Sequence, residues 1–422
     1  MLKRDGPLIG ITFFLATVVA FRFYLQWRLE RHDPGEVFKY FANRSKIPFE
    51  EIMEFHNDLV HTYRAELLPF FGSSMFALCL LWSEIIPICL IRIMYIKHDF
   101  FKAVFMISAF VFFDCISRGM EVLILDGTID FLSFSKIYGR EIVIKVISGA
   151  MIFSAFALFG RLAFLLAPLT GLFIYCVCFF FSLKPFVSRF VPMDWTSEIG
   201  QKIASLFDKT GFPKSNFFVD NVGFIHAPSD YFGLFSSASD SVIVIKDLFL
   251  HEFPSEEILG AIAHELGHWV DGFGLKYPFV NFVFALMTLL GFSVFFSRKN
   301  LTKSLGFTWK NTKDEPNRTG LLYRLMPDKI FPLHATLIAI LFFDHLIWLL
   351  TCIQNLTGQS GEFKADAFAA SHGLHHEFST FLIKGTSVMN ASLDPLFESF
   401  MLSQTCVERR VKKLLGLTTL SL

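Results

Sequence analysis

Apolar stretches close to the ~20 residues that a helix needs to cross a bilayer recur about seven times in this chain. They lie near residues 7–27, 68–92, 100–123, 141–159, 162–183, 278–297 and 330–353. The first has an uninterrupted apolar part only from Ile9 to Phe21, between Lys3-Arg4 and Arg22. It reads as a retained anchor rather than a signal peptide, because no small-residue cleavage site clearly follows it. Only Gly160-Arg161 separates the fourth and fifth stretches, a spacing that predicts a tight helical hairpin. The patterning therefore divides the chain into 1–183, with five spans and a polar loop at 28–67, a polar insert at 184–277, two spans and a basic loop (298–328) in 278–353, and a polar C-terminal region at 354–422.

Inside the insert the pattern changes period. Ser241-Val242-Ile243-Val244-Ile245 reads as a β-strand. An extended peptide could pair with its edge, and an ordinary core strand is the equal alternative. Pro254-Ser255-Glu256-Glu257 then reads as a helix start, with Ser255 as N-cap and acids in the first turn. Ile258, Leu259, Ile262, Leu266 and Trp269 supply that helix with an apolar face. The fold expected is an α-helical multi-pass membrane protein carrying a small α+β domain.

Composition supports the membrane reading. The chain is 53% hydrophobic with 55 Phe, and its charged share is 18% against about 25% in soluble chains. Mean hydropathy is +0.50. Lys and Arg number 38 and Asp and Glu 38, so no nucleic-acid footprint is expected. Cys79, Cys89, Cys115, Cys176, Cys178 and Cys352 all fall in apolar runs and read as small buried hydrophobes. Glu84, Asp114, Arg118, Asp344 and His345 lie inside expected spans, where ionisable groups face protein or trapped water.

The candidate chemistry is concentrated in His264-Glu265-Leu266-Gly267-His268, an HExxH sequence on the helix of the insert. Positions i and i+4 share a helical face, so His264 and His268 can grip one Zn²⁺. Glu265, offset from the pair, is placed to act as the general base for water. A catalytic zinc needs a third protein ligand. The metzincin arrangement is ruled out, because Asp271 and Gly274 stand where a Gly and a His would be needed. The better candidate is Glu362 in Gly361-Glu362-Phe363-Lys364-Ala365-Asp366-Ala367-Phe368. Asp366, again at i+4, can accept the free N–H of a ligating imidazole. Two crossings between residues 268 and 354 would return the chain to the same side of the membrane, which permits this pairing. His372, His375 and His376 are rival ligands and read better as a solvated helix end. Arg409 and Arg410 are candidates for holding a substrate carboxylate, though such residues more often form a solvated face.

Glu256 through Trp269, Glu362 through Phe368 and the recurring spans together resemble the type I CAAX prenyl proteases, integral-membrane zinc metalloproteases of the endoplasmic reticulum and inner nuclear membrane. Gly211-Phe212-Pro213 with Ser229-Asp230-Tyr231-Phe232-Gly233-Leu234 is similar to the family's segment before its edge strand. Asp394-Pro395-Leu396-Phe397 and Glu408-Arg409 are similar to its C-terminal helix. The resemblance implies seven transmembrane helices enclosing a chamber, capped by the zinc domain in the lipid bilayer. It implies removal of the last three residues from prenylated CaaX proteins. One zinc per chain would be bound by His264, His268 and Glu362, with Glu265 as base and acid and Asp366 behind the ligands. Tyr231, Gln404 and Arg409 become candidate substrate-binding residues.

Three departures accompany the resemblance. Leu402-Ser403-Gln404-Thr405-Cys406 occupies the place of the family's Ser-His-Pro, so the histidine donor is missing or replaced by Gln404, or by Ser403 in another register. Ser229-Asp230 replaces Asn-Ala, and Asp271 stands where the family has Lys. Two other readings stay open: a quality-control metallopeptidase without a lipid requirement, and a catalytically weakened scaffold that binds prenylated proteins. A cytosolic zinc domain would put loop 298–328, with sequons at Asn300 and Asn317, on the lumenal side.

Overall fold

A computed structural model describes residues 2–82, 190–221, 232–236, 241–287, 331–385 and 391–416, apart from single gaps, and elements are numbered among these. Tyr231, the spans expected near 100–123 and 141–159, most of that near 162–183, and loop 298–328 with both sequons lie outside the described residues. Glu84, Asp114 and Arg118 lie outside them too. The chain divides into two compact units.

The first unit comprises Met1–Trp27, His61–Gly171 and Phe284–Leu349. Helix α1 (Leu2–Arg31) contains Ile9–Arg31, long and apolar enough by length and composition to cross a membrane. Helices α3 (Phe49–Trp82) and α7 (Phe331–Ser371) fall on two further expected spans. Two polar groups of these helices find partners within the same unit. Arg22 pairs with Glu66 at 3.6 Å and lies 4.3 Å from the Phe70 ring centre. Ser74 Oγ donates to Phe70 O and meets buried His345 Nε2 at 2.6 Å.

The second unit comprises Arg28–Val60, Leu172–Val283 and Leu350–Leu422. Its sheet has the order β1 (Val191–Pro192), β2 (Phe217–Asp220), β4 (Ser241–Lys246), β3 (Phe232–Ser236). Strand β4 runs parallel to β2 and antiparallel to β3. An exposed β4 edge is therefore excluded: Val242 to Ile245 are all buried, as a central strand covered on both faces requires. The end strand of the described sheet is β3.

Helices close over this sheet. Ser197 caps α4 (Glu198–Thr210) by accepting from Gly200 N at 3.1 Å. A short α5 (Asp247–Glu252) leads into α6 (Ser255–Asp271). Ser255 is not its N-cap: Pro254 takes that place without a side-chain bond, its carbonyl accepting from Ile258 N at 3.1 Å. The acids Glu256 and Glu257 still favour the helix N-terminus electrostatically. Gly272 ends α6 at φ +64°, a left-handed turn that costs glycine little. Phe207, Phe217, Ile243, Ile245, Phe249, Ile258 and Ile262 form one buried core with residues of α2 (Gly35–Ser45) and α8 (His375–Gly385). Helices α9 (Pro395–Met401) and α10 (Val407–Leu415) complete the unit.

Candidate metal centre

Helix α6 is buried along nearly its whole middle, from Gly260 to His268. Its two imidazoles turn toward the C-terminal half of α7, and the helices meet where α6 has no side chain. A Cβ added to Gly267 would lie 2.7 Å from Ala365 Cα and 3.0 Å from Ala365 O. That backbone approach brings Glu362, one turn before Ala365, against both histidines. His264 Nε2 stands 3.4 Å from one Glu362 oxygen and His268 Nε2 stands 3.3 Å from the other.

These three residues form the only cluster of potential metal donors among the described residues, all buried, with ligand atoms within 4.8 Å of one another. A tetrahedral zinc centre with bonds of about 2.0–2.1 Å separates its donors by about 3.3–3.4 Å. Donor chemistry and spacing thus fit such an ion. His372, His375 and His376 stand outside the cluster; the His372 ring bonds to Phe368 O at 3.0 Å.

Asp366 Oδ1 lies 2.9 Å from His264 Nδ1, on the far side of the ring from Glu362. The Phe378 ring stacks on His264 at 4.8 Å and the Phe273 ring packs on His268 at 4.8 Å. Glu265 is 9% exposed beside the donors. Burial pushes its carboxyl above the usual range, against the pull of both histidines. Glu362 is held well below that range although burial opposes it, because the Arg410 guanidinium and the two imidazoles favour its charge.

Arg410, a sequence candidate for holding a substrate carboxylate, instead holds carboxylates of the protein itself. It is 5% exposed. Its Nε and Nη2 donate to the two oxygens of Asp366 at 3.0 and 2.7 Å, and Nη1 lies 3.1 Å from Glu362. A signal existed in the sequence: Val407, Arg410, Val411 and Leu414 form one i, i+3, i+4, i+7 stripe on α10. Arg409 lies off that stripe and is engaged elsewhere, 3.0 Å from Glu398. The expected substrate-carboxylate contact of Arg409 thus competes with an ion pair inside the protein. Gln404 is exposed in the turn before α10 and makes no described contact with the metal donors.

Residues 194–395 match the model of peptidase family M48. CAAX prenyl protease 1 of Saccharomyces cerevisiae is 28% identical over 245 residues, covering 55% of this chain and 50% of that protein. A CAAX prenyl protease 1 homolog of Dictyostelium discoideum is 27% identical over 235 residues, 54% of this chain and 49% of that one. The chain thus matches about half the length of these relatives. The crystal structure of S. mikatae Ste24p superposes with a TM-score of 0.61 over 96% of this chain and 98% of that one, at 16% identity, so the fold is shared. Residues 194–395 are thus similar to peptidase family M48, about half of the chain is similar to CAAX prenyl protease 1 proteins, and the fold is that of Ste24p.

Proposed function

We propose that this chain is a zinc endopeptidase of the endoplasmic reticulum membrane, and of the inner nuclear membrane, that removes the last three residues from prenylated CaaX proteins. The observation that carries the proposal is the buried convergence of His264, His268 and Glu362 beside Glu265. The names of the relatives support the substrate class. In this reading about seven spans enclose a chamber that receives the lipidated tail.

His264, His268 and Glu362 would hold one zinc ion. The chemistry it supplies when bound is Lewis acidity, which polarises a carbonyl and makes water nucleophilic near neutral pH. Glu265 takes the proton from the attacking water and delivers it to the leaving amine, a task suited to a carboxyl whose affinity for protons burial has raised. Asp366 accepts from His264 Nδ1 and so leaves Nε2 unprotonated for the metal. Strand β3 pairs with β4 on one side and is the end strand among the described residues, so its other side would offer backbone groups to an extended substrate. The resemblance implies that a histidine donor is missing near Gln404; loss of one transition-state donor typically slows turnover about a hundred- to a thousandfold.

The test compares a farnesylated CaaX peptide with its unlipidated twin, using purified protein with its zinc counted. Cleavage of the lipidated peptide alone, lost in Glu265→Gln with zinc retained, is expected. Equal cleavage of both peptides would point to a quality-control peptidase. Stoichiometric zinc without any cleavage would point to a scaffold.

A further inference from the structure

We propose that Arg410 is a positioning residue of the metal centre, its guanidinium fork locking Asp366 to Glu362 and thereby fixing the third ligand and the His264 ring together. This rests on the zinc reading above and extends it from α6 and α7 to a third element, α10.

Three nitrogens of Arg410 reach these two carboxylates: Nε and Nη2 meet Asp366 in the bidentate manner that suits a planar guanidinium, Nη1 meets Glu362, and Nη2 also lies 3.4 Å from both His264 ring nitrogens. Asp366 Oδ1 serves Arg410 and His264 at once, so the arginine sets the direction from which the imidazole is held. The guanidinium also lies 5.4 Å from the centre of the Phe378 ring, and that ring stacks on His264. Arginine, aromatic ring and imidazole thus form a layered support. Among the described residues no other Lys or Arg pairs with Glu362 or Asp366. With a divalent ion in place, its two charges and that of Arg410 balance Glu265, Glu362 and Asp366. Buried carboxylates need such compensation.

Charge balance alone would be met equally well by lysine, whereas a fork would not. Lysine offers a point charge on a flexible stem and cannot reproduce the planar, bidentate geometry. Arg410→Lys leaves electrostatic repulsion of the metal unchanged, so it isolates geometry.

Zinc affinity is measured on the full-length purified protein by competition with a chromophoric chelator, alongside thermal melting. Arg410→Lys is expected to weaken zinc binding about 10- to 100-fold, the usual effect of losing a partner of a metal ligand. Asp366→Asn should do likewise, and the double variant should bind hardly worse than the weaker single one, because both act through the same contact. Arg410→Lys that melts normally and binds zinc within twofold of wild type would overturn the proposal. So would unchanged affinity with a raised KM at full zinc, which would assign Arg410 to the substrate. Should Arg410→Lys fail to fold, Asp366→Asn decides by the same criterion. Wild-type protein that binds no zinc, or a His264→Ala variant that keeps it, would instead remove the zinc reading itself.

Discussion

Arg409 and Arg410 are neighbours in sequence and face different surroundings on α10. Arg410 shares its stripe with Val407 and Val411 and enters the centre; Arg409 reaches Glu398, which is fully buried, at 3.0 Å. That Glu398 carboxyl also accepts from Cys406 N at 3.2 Å. Removing Arg409 would leave it without its cation, so Arg409→Ala is expected to cost about 1–3 kcal/mol of stability while leaving zinc content unchanged. Denaturant melts with a metal count check this; a variant of normal stability with a large rise in peptide KM would restore Arg409 to the substrate site. The zinc donors and Asp366 were legible in sequence because i, i+4 spacing on a helix fixes a shared face without tertiary information. Arg410 was named only as a candidate for a substrate carboxylate, because its place at the centre depends on where α10 starts, which decides which of two arginines turns inward.

At the scale of elements, the centre depends on how closely α6 and α7 can cross. Gly267→Ala would drive a methyl into Ala365, and overpacking of this kind typically costs about 1–3 kcal/mol. It should also separate His268 from Glu362, so weaker zinc binding than the stability loss alone explains is expected in chelator competition. Unchanged affinity would mean that the helices tolerate the shift. The HExxH helix itself was readable from its apolar periodicity, but its cap was not, since Pro254 and Ser255 are both acceptable there. The partners of β4 were equally hidden: hydrophobicity announces a buried strand without naming its neighbours. Between α2 and α3, His56 is buried edge-on to Phe38 with ring centres 5.4 Å apart, and burial lowers its pKa from 6.5 to about 4. A depressed histidine contributes its full share above the unfolded value of 6.5, and stability falls as pH drops from there toward 4. His56→Phe should reduce the loss of melting temperature between pH 7 and pH 5; equal losses in both proteins would exclude His56 as a source.

Across the whole chain, hydropathy announces membrane spans but cannot say which distant segments meet. The metal centre supplies that information, because His264 and Glu362 come from helices separated by two expected spans. Within the second unit an ion held by these donors would therefore cross-link α6 to α7 as well as serve the proposed chemistry. Any ion that binds the folded unit and not the unfolded chain stabilises it by mass action, about 2.7 kcal/mol when free ion reaches a hundred times the dissociation constant. Stripping zinc with a chelator should lower the melting temperature of the purified protein, and zinc added back should restore it. Glu265→Gln, which leaves all three donors in place, should keep that response, whereas His268→Ala should lose it. This pattern separates cross-linking from catalysis, since a chelator effect that followed Glu265 instead of the donors would mean that the ion is held by a different set of residues.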